Sequence, residues 1–144
     1  TVRVYTDGGC RGNPGPAGSG ARVELPDGRV GEACRSLGTA TNNVGELSAI
    51  DLALDLLEEA GVEPSAPVAL FTDSDYSHGV LVRGWKAKAN REIILPLRER
   101  LERRPGLTIH WVAGHVGIAG NERADQLANS GVAGLDLKRW AEGI

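Results

Sequence analysis

Two short apolar runs, Val68–Thr72 and Leu107–Val112, do most to restrict what this chain can become. Runs of this length, rich in β-formers, read as interior strands. The segment between them has helical patterning, and strands joined by helical crossovers lie parallel in one sheet with helices packed on it. At the N-terminus, Val2–Asp7 sets Val2, Val4 and Thr6 against Arg3, Tyr5 and Asp7, the period of a strand with one buried face. Ala21–Leu25 and Arg29–Leu37, separated by Pro26-Asp27-Gly28, read as a hairpin, so three antiparallel strands open the domain. Glu46–Ala60 carries Leu47, Ile50, Leu54 and Leu57 at helical spacing, with Asn42 or Asn43 as N-cap and Gly61 in the place of a C-terminal cap. Shorter helices are expected over Asp75–Val82 and within Arg91–Arg104, where Pro96 marks a first turn or a kink. A last helix runs from Asn121 to about Ala133. The expectation is an α/β domain over residues 1–134, built on a five-stranded mixed sheet whose first three strands are antiparallel, with helices on both faces and a tail over 135–144.

A length of 144 residues accommodates one hydrophobic core, and 41% apolar with 24% charged residues is the balance of an ordinary globular protein. No apolar stretch approaches the ~20 residues of a membrane helix, and Thr1–Asp7 lacks the basic-then-apolar pattern of a secretion signal, so a cytoplasmic protein is expected. Cys10 and Cys34 have no partner at ligand spacing and are read as reduced. Glycine is the compositional outlier, with 20 residues, six of them in Gly8–Gly20 beside two prolines; that segment is read as an irregular loop. The net charge of −3 argues against indiscriminate polyanion binding, but the charge is polarised. Arg83–Arg104 holds eight basic residues against three glutamates, a local excess of +5 that leaves −8 for the rest.

Asp7 and Asp73 both fall at predicted strand ends, where open α/β sheets bind ligands. Glu46 heads the long helix and Asp125 lies one turn into the last one. Singly, each has an ordinary reading as a turn, cap or first-turn residue. Together they would repel one another unless something positive sits between them, and hard divalent cations prefer such oxygen ligands. A pair of ions ~3.5–4 Å apart can activate a water and stabilise the leaving oxygen of a phosphodiester, which is nuclease chemistry.

Five segments then occur in order: Thr6-Asp7-Gly8-Gly9-Cys10-Arg11-Gly12-Asn13-Pro14-Gly15-Pro16, Thr41-Asn42-Asn43-Val44-Gly45-Glu46-Leu47, Thr72-Asp73-Ser74-Asp75-Tyr76, Gly114-His115, and Gly120-Asn121-Glu122-Arg123-Ala124-Asp125. In this series the chain resembles type I ribonuclease H over Val2 to Ala133. The resemblance implies the ribonuclease H-like fold and an endonuclease that cuts the RNA strand of RNA/DNA hybrids, leaving 3′-hydroxyl and 5′-phosphate ends. It implies two Mg²⁺ ions, with Mn²⁺ as the substitute, on Asp7, Glu46, Asp73 and Asp125. His115 would assist proton movement or release of metal and product. The backbone around Cys10 and Asn13, with Glu46, would read RNA 2′-hydroxyls. Asn42 and Asn43 would touch bases, Thr41 a DNA-strand phosphate, and Ser74 and Asn121 would support the metal site. The expected partner is the hybrid duplex alone, met by a monomer with no membrane and no obligatory protein partner.

The chain departs from many members in the basic region, because only about ten residues separate Asp73 from Arg83-Gly84-Trp85-Lys86, so the basic protrusion is shortened or absent. Trp85 with Lys86 and Lys88 either grips the DNA strand or, in the case of Trp85, belongs to the core. Val44 stands where an arginine is common in the family, which removes a phosphate contact. The tail, with Lys138, Arg139 and Trp140, is either a further substrate contact or a packing segment. Two rival readings use the same features: a hybrid-binding module without catalysis, and another metal nuclease of the same fold, such as a transposase or junction resolvase core.

Overall fold

The computed structural model describes residues 1–114 and 118–142. Strands β1 (Val2–Cys10), β2 (Gly15–Glu24) and β3 (Arg29–Ala40) are followed by helix α1 (Asn42–Glu59) and strand β4 (Val68–Thr72). Helices α2 (Asp75–Leu81) and α3 (Arg91–Glu102), strand β5 (Leu107–Trp111), helix α4 (Ala119–Val132) and strand β6 (Leu137–Glu142) complete the chain. One sheet holds all six strands in the order β5-β4-β1-β2-β3-β6. The pairs β1–β4 and β4–β5 are parallel, while β1–β2, β2–β3 and β3–β6 are antiparallel. This is the expected mixed sheet with a correction in number: six strands, not five. The additional strand lies in the segment read as a tail, whose Leu137–Glu142 run is largely exposed and so lacks a buried-face pattern.

The Gly8–Gly20 segment is also corrected. It is not an irregular loop, because β1 extends through Gly8, Gly9 and Cys10, and β2 begins at Gly15. Gly8, Gly18 and Gly20 are there for close approach, while Gly12, with a φ of 69°, serves the short turn between β1 and β2. A methyl group at Gly8 would collide with the backbone of Gly45 and Glu46 on α1, and one at Gly18 or Gly20 would collide with the α4 backbone around Ala124, Ala128 and Val132. Gly9, next to Gly8 on the strand, faces α4 at Val132. Adjacent strand residues point to opposite faces, so α1 and α4 cover opposite faces of the sheet.

The core lies between the sheet and α1. Leu47, Ile50, Leu54 and Leu57 are buried there with Val4, Val23, Leu70, Ile94 and Leu97. Ala49, Ala53 and Leu56 are buried as well, because α1 meets the sheet on one side and α2 and α3 on the other. The N-cap of α1 is Thr41, not Asn42 or Asn43; its hydroxyl accepts from the Val44 N–H at 3.2 Å, which leaves both asparagines exposed in the first turn. Pro96 lies inside α3 beyond the first turn, where it forfeits a backbone hydrogen bond. Cys34 is buried and Cys10 partly so, and both are free thiols. No helix among the described residues is long and apolar enough to cross a membrane.

Candidate active site

The site lies where β4 ends beside β1, which itself runs on to Cys10. Tyr5 of β1 pairs with Phe71 of β4, and two residues further along come Asp7, within β1, and Asp73, just past the end of β4. Glu46, the fifth residue of α1, reaches them because Gly8 and Gly45 allow the helix start to lie directly on β1. Ser19 of β2, fully buried, ties down the same point by donating from its hydroxyl to the Gly45 carbonyl at 2.7 Å. One oxygen from each of Asp7, Glu46 and Asp73 lies within 4.8 Å of the others. Asp125, in the second turn of α4, stands outside this tight triad but within hydrogen-bonding reach of Asp7.

The electrostatics are those of a carboxylate cluster without a basic side chain beside it among the described residues. Among the described residues none of the four carboxylates forms a salt bridge. Burial, reinforced by the neighbouring Asp73 and Asp125, pushes Asp7 up to about 7, although its contact with Glu46 works the other way. Burial and the charge of Asp7 raise Glu46 well above the usual carboxylate range. One oxygen of Glu46, Oε2, is buried with no hydrogen-bond partner among the described residues. A buried acceptor without a donor is costly, and clustered hard oxygens are the donor set of a divalent cation. The residues present therefore fit such an ion.

Around this centre, the structure brings one group of sequence-predicted contacts together. The Asn42 N–H donates to Asn13 Oδ1 at 3.1 Å, and the Cys10 thiol lies 3.2 Å from the Ala40 carbonyl. The Cys10–Gly15 turn and the Thr41–Asn43 segment thus form one surface beside the carboxylates. Ser74 follows Asp73, with its hydroxyl accepting from the Ser77 N–H at 3.0 Å as the cap of α2. Asn121 places both amide atoms in buried positions with no partner among the described residues. His115 lies outside the described residues.

Trp85, Lys86 and Lys88 belong to a second, separate patch, an open groove of about 620 Å³ that Val80, Ala87 and Arg98 also line. Trp85 is exposed to 42%, yet its ring already has neighbours. It packs on Gly79, and the Arg83 guanidinium sits 4.4 Å from the ring centroid while bonding to Asp75. Sequence reasoning missed Trp111, which ends β5 half-exposed and donates its indole N–H to the Asp73 carbonyl at 3.2 Å. It also gave Gly114 no role of its own; a Cβ there would stand 2.8 Å from Asp73 Oδ2, so a larger residue would displace that carboxylate. Nothing in the periodicity of β5 marks Trp111, and Gly114 lies beyond that strand; both act through Asp73 next to them.

Comparison with known proteins agrees with this geometry. A sequence profile of the RNase H family matches residues 1–133. A curated ribonuclease H of Cupriavidus metallidurans is 37% identical over 147 aligned positions, covering 94% of this chain and 97% of its own. The crystal structure of a ribonuclease H1 from the halophilic archaeon Halobacterium salinarum superposes with a TM-score of 0.78 at 33% identity, over 93% of this chain and 98% of its own. LC11 ribonuclease H1, solved in complex with an RNA/DNA hybrid, gives a TM-score of 0.78 at 31% identity, over 92% of this chain and 97% of its own. With a family profile matching residues 1–133 and relatives similar in sequence and fold over nearly the whole length, the chain belongs to the ribonuclease H family.

Proposed function

We propose that Asp7, Glu46, Asp73 and Asp125 hold two divalent cations, Mg²⁺ in the first instance, and that the chain uses them to hydrolyse the RNA strand of RNA/DNA hybrids to 3′-hydroxyl and 5′-phosphate ends. The observation that carries this reading is the meeting of three carboxylates from β1, α1 and the end of β4 within 4.8 Å of one another. It is supported by family membership and by a relative solved with a hybrid. When bound, such ions supply positive charge at the attacking water and at the leaving oxygen.

The chain's own residues do the rest. Asp7 and Glu46 are raised acids that give up protons as the site fills, so the assembled centre carries its full negative charge only when cations balance it. The exposed Asn42 and Asn43 amides and the Cys10–Gly15 turn present donors and acceptors at the height of a minor groove, where a 2′-hydroxyl marks the RNA strand. Lys86 and Lys88 offer exposed ammonium groups to the DNA-strand backbone. His115 moves protons at the leaving group or aids product release. The catalytic domain is residues 1–134, acting as a monomer on the duplex alone.

A panel of end-labelled substrates tests the reading. In Mg²⁺ the full chain is expected to cut the RNA strand of a hybrid and to leave duplex DNA and a four-way junction intact. Cleavage of the junction would favour a resolvase-type enzyme, and hybrid binding without any cleavage would favour a binding module.

A further inference from the structure

Glu32, the fourth residue of β3, is a carboxylate only 3% exposed and lies outside every motif that marks the family resemblance. It accepts from three guanidinium groups on three elements: Arg22 of β2 at 2.8 Å, Arg123 of α4 at 2.7 and 3.0 Å, and Arg139 of β6 at 2.7 and 3.2 Å. Burial alone would raise its pKa, but the three arginines bring it down to about 2, so it stays ionised at any working pH. A buried charge bound in this way is specific in geometry, since a fork-to-fork Arg–carboxylate pair fixes orientation as well as distance.

Helix α4 needs an anchor of this kind. Unlike α1 and α2, it begins without a side-chain cap, its N-cap position being Ile118. Gly18 and Gly20 set how closely it lies on the sheet, and its buried Ala124, Leu127, Ala128 and Val132 oppose its turning about its axis. Arg123, gripped through two hydrogen bonds, resists that rotation. Helical residues advance about 100° per position, so Asp125 projects roughly 200° away from Arg123. Where Arg123 is held on one side of the helix decides where Asp125 points on the other.

We propose that Glu32 is a positioning residue of the metal centre: by clamping Arg123 it fixes the rotation of α4 and so brings the Asp125 carboxylate to Asp7. This rests on the proposed role of Asp125 as a metal ligand. Arg139 provides an internal contrast, because it binds the same carboxylate from the exposed edge strand and its removal leaves the Arg123 pair in place.

The test is calorimetric binding of Mn²⁺ to the full chain without substrate, together with thermal melting in the absence of metal. Glu32→Gln and Arg123→Lys are expected to weaken Mn²⁺ binding about tenfold, the scale seen when a partner of a metal ligand is removed. Arg139→Ala is expected to lower the melting temperature while leaving Mn²⁺ binding within about twofold of the parent. In a double-mutant cycle, Glu32→Gln added to Asp125→Asn is expected to cause no further loss, because the clamp acts through Asp125. Parent-like Mn²⁺ binding by Glu32→Gln and Arg123→Lys would reduce Glu32 to a purely structural residue, and additive losses in the cycle would show that it acts elsewhere. If Glu32→Gln does not fold, Arg123→Lys decides alone, by the same criterion. Unchanged binding by Asp125→Asn would overturn the ligand reading and the clamp together, whereas weakened binding there with parent-like Glu32→Gln would overturn the clamp only.

Discussion

Asp7 carries the clearest residue-scale consequence. Its folded pKa of about 7 lies above the ordinary 3.8, mainly through burial. Between those values the folded chain binds more protons than the unfolded one, so stability falls as pH rises through that window. Asp7→Asn removes this penalty along with a ligand. Without metal, the variant should therefore melt above the parent at about pH 8, with the difference vanishing below about pH 4, while cleavage is abolished. Thermal melts across pH and a hybrid assay check both halves, and retention of substantial cleavage would remove Asp7 from the reaction. Glu32 has the opposite sign. Its folded pKa of about 2 lies below the ordinary 4.5, so the stability it contributes is present above that value and lost as pH falls toward 2. For His115, the substitution His115→Ala should lower the turnover rate by ~10²- to 10⁴-fold, as for a missing acid–base group, while leaving hybrid affinity nearly unchanged.

At the scale of elements, the start of α1 is the sensitive joint. Gly8→Ala would press a methyl group into the backbone of Gly45 and Glu46 and lift Glu46 from its partners. Overpacking of this kind costs ~1–3 kcal/mol, and here it should also sharply reduce turnover. Leu54→Ala, deep in the same helix, should cost ~2–5 kcal/mol yet leave turnover near normal once the protein is folded. Urea unfolding combined with steady-state rates separates the two, and equal catalytic losses would contradict a special role for the joint. The contrast also bears on what could be read from sequence. The core stripe of α1 and the strands β4 and β5 follow from periodicity, although β5 is an edge strand rather than the interior one expected; Asp7 lies inside β1, which runs on to Cys10, whereas Asp73 follows from its place just past β4. The glycine segment did not, since glycine signals both turning and close approach, and only the facing helix decides between them. Nor did Thr41 as cap in place of the adjacent asparagines, or β6, whose pairing is specified by the free edge of β3 and by contacts such as Lys138 with Glu59 at 2.7 Å. Glu32 was silent because its three arginines converge only in the fold.

Over the whole molecule, the +5 segment is less free than its composition suggests. Arg83 is bound to Asp75, and Arg100 to Asp51, Asp55 and Glu58, while Arg98 and Arg104 donate to backbone carbonyls. Lys86 and Lys88 remain exposed beside the groove. Neutralising both should weaken hybrid binding and flatten its salt dependence by ~0.7–0.9 log units of slope for each phosphate left without its lysine, with the chemical step at saturation little changed. An unaltered slope and Michaelis constant would move attention to the Asn42–Asn43 surface alone. The proposed function depends on the four carboxylates being gathered for cations. The direct measurement is titration of Mg²⁺ into the free protein at about pH 6.5, in two buffers of different ionisation enthalpy. Binding should release about one proton or more as Asp7 and Glu46 ionise, and Asp7→Asn should lose most of both the binding and the release. Mg²⁺ binding without proton release, or binding unaffected by Asp7→Asn, would contradict a metal centre at these residues.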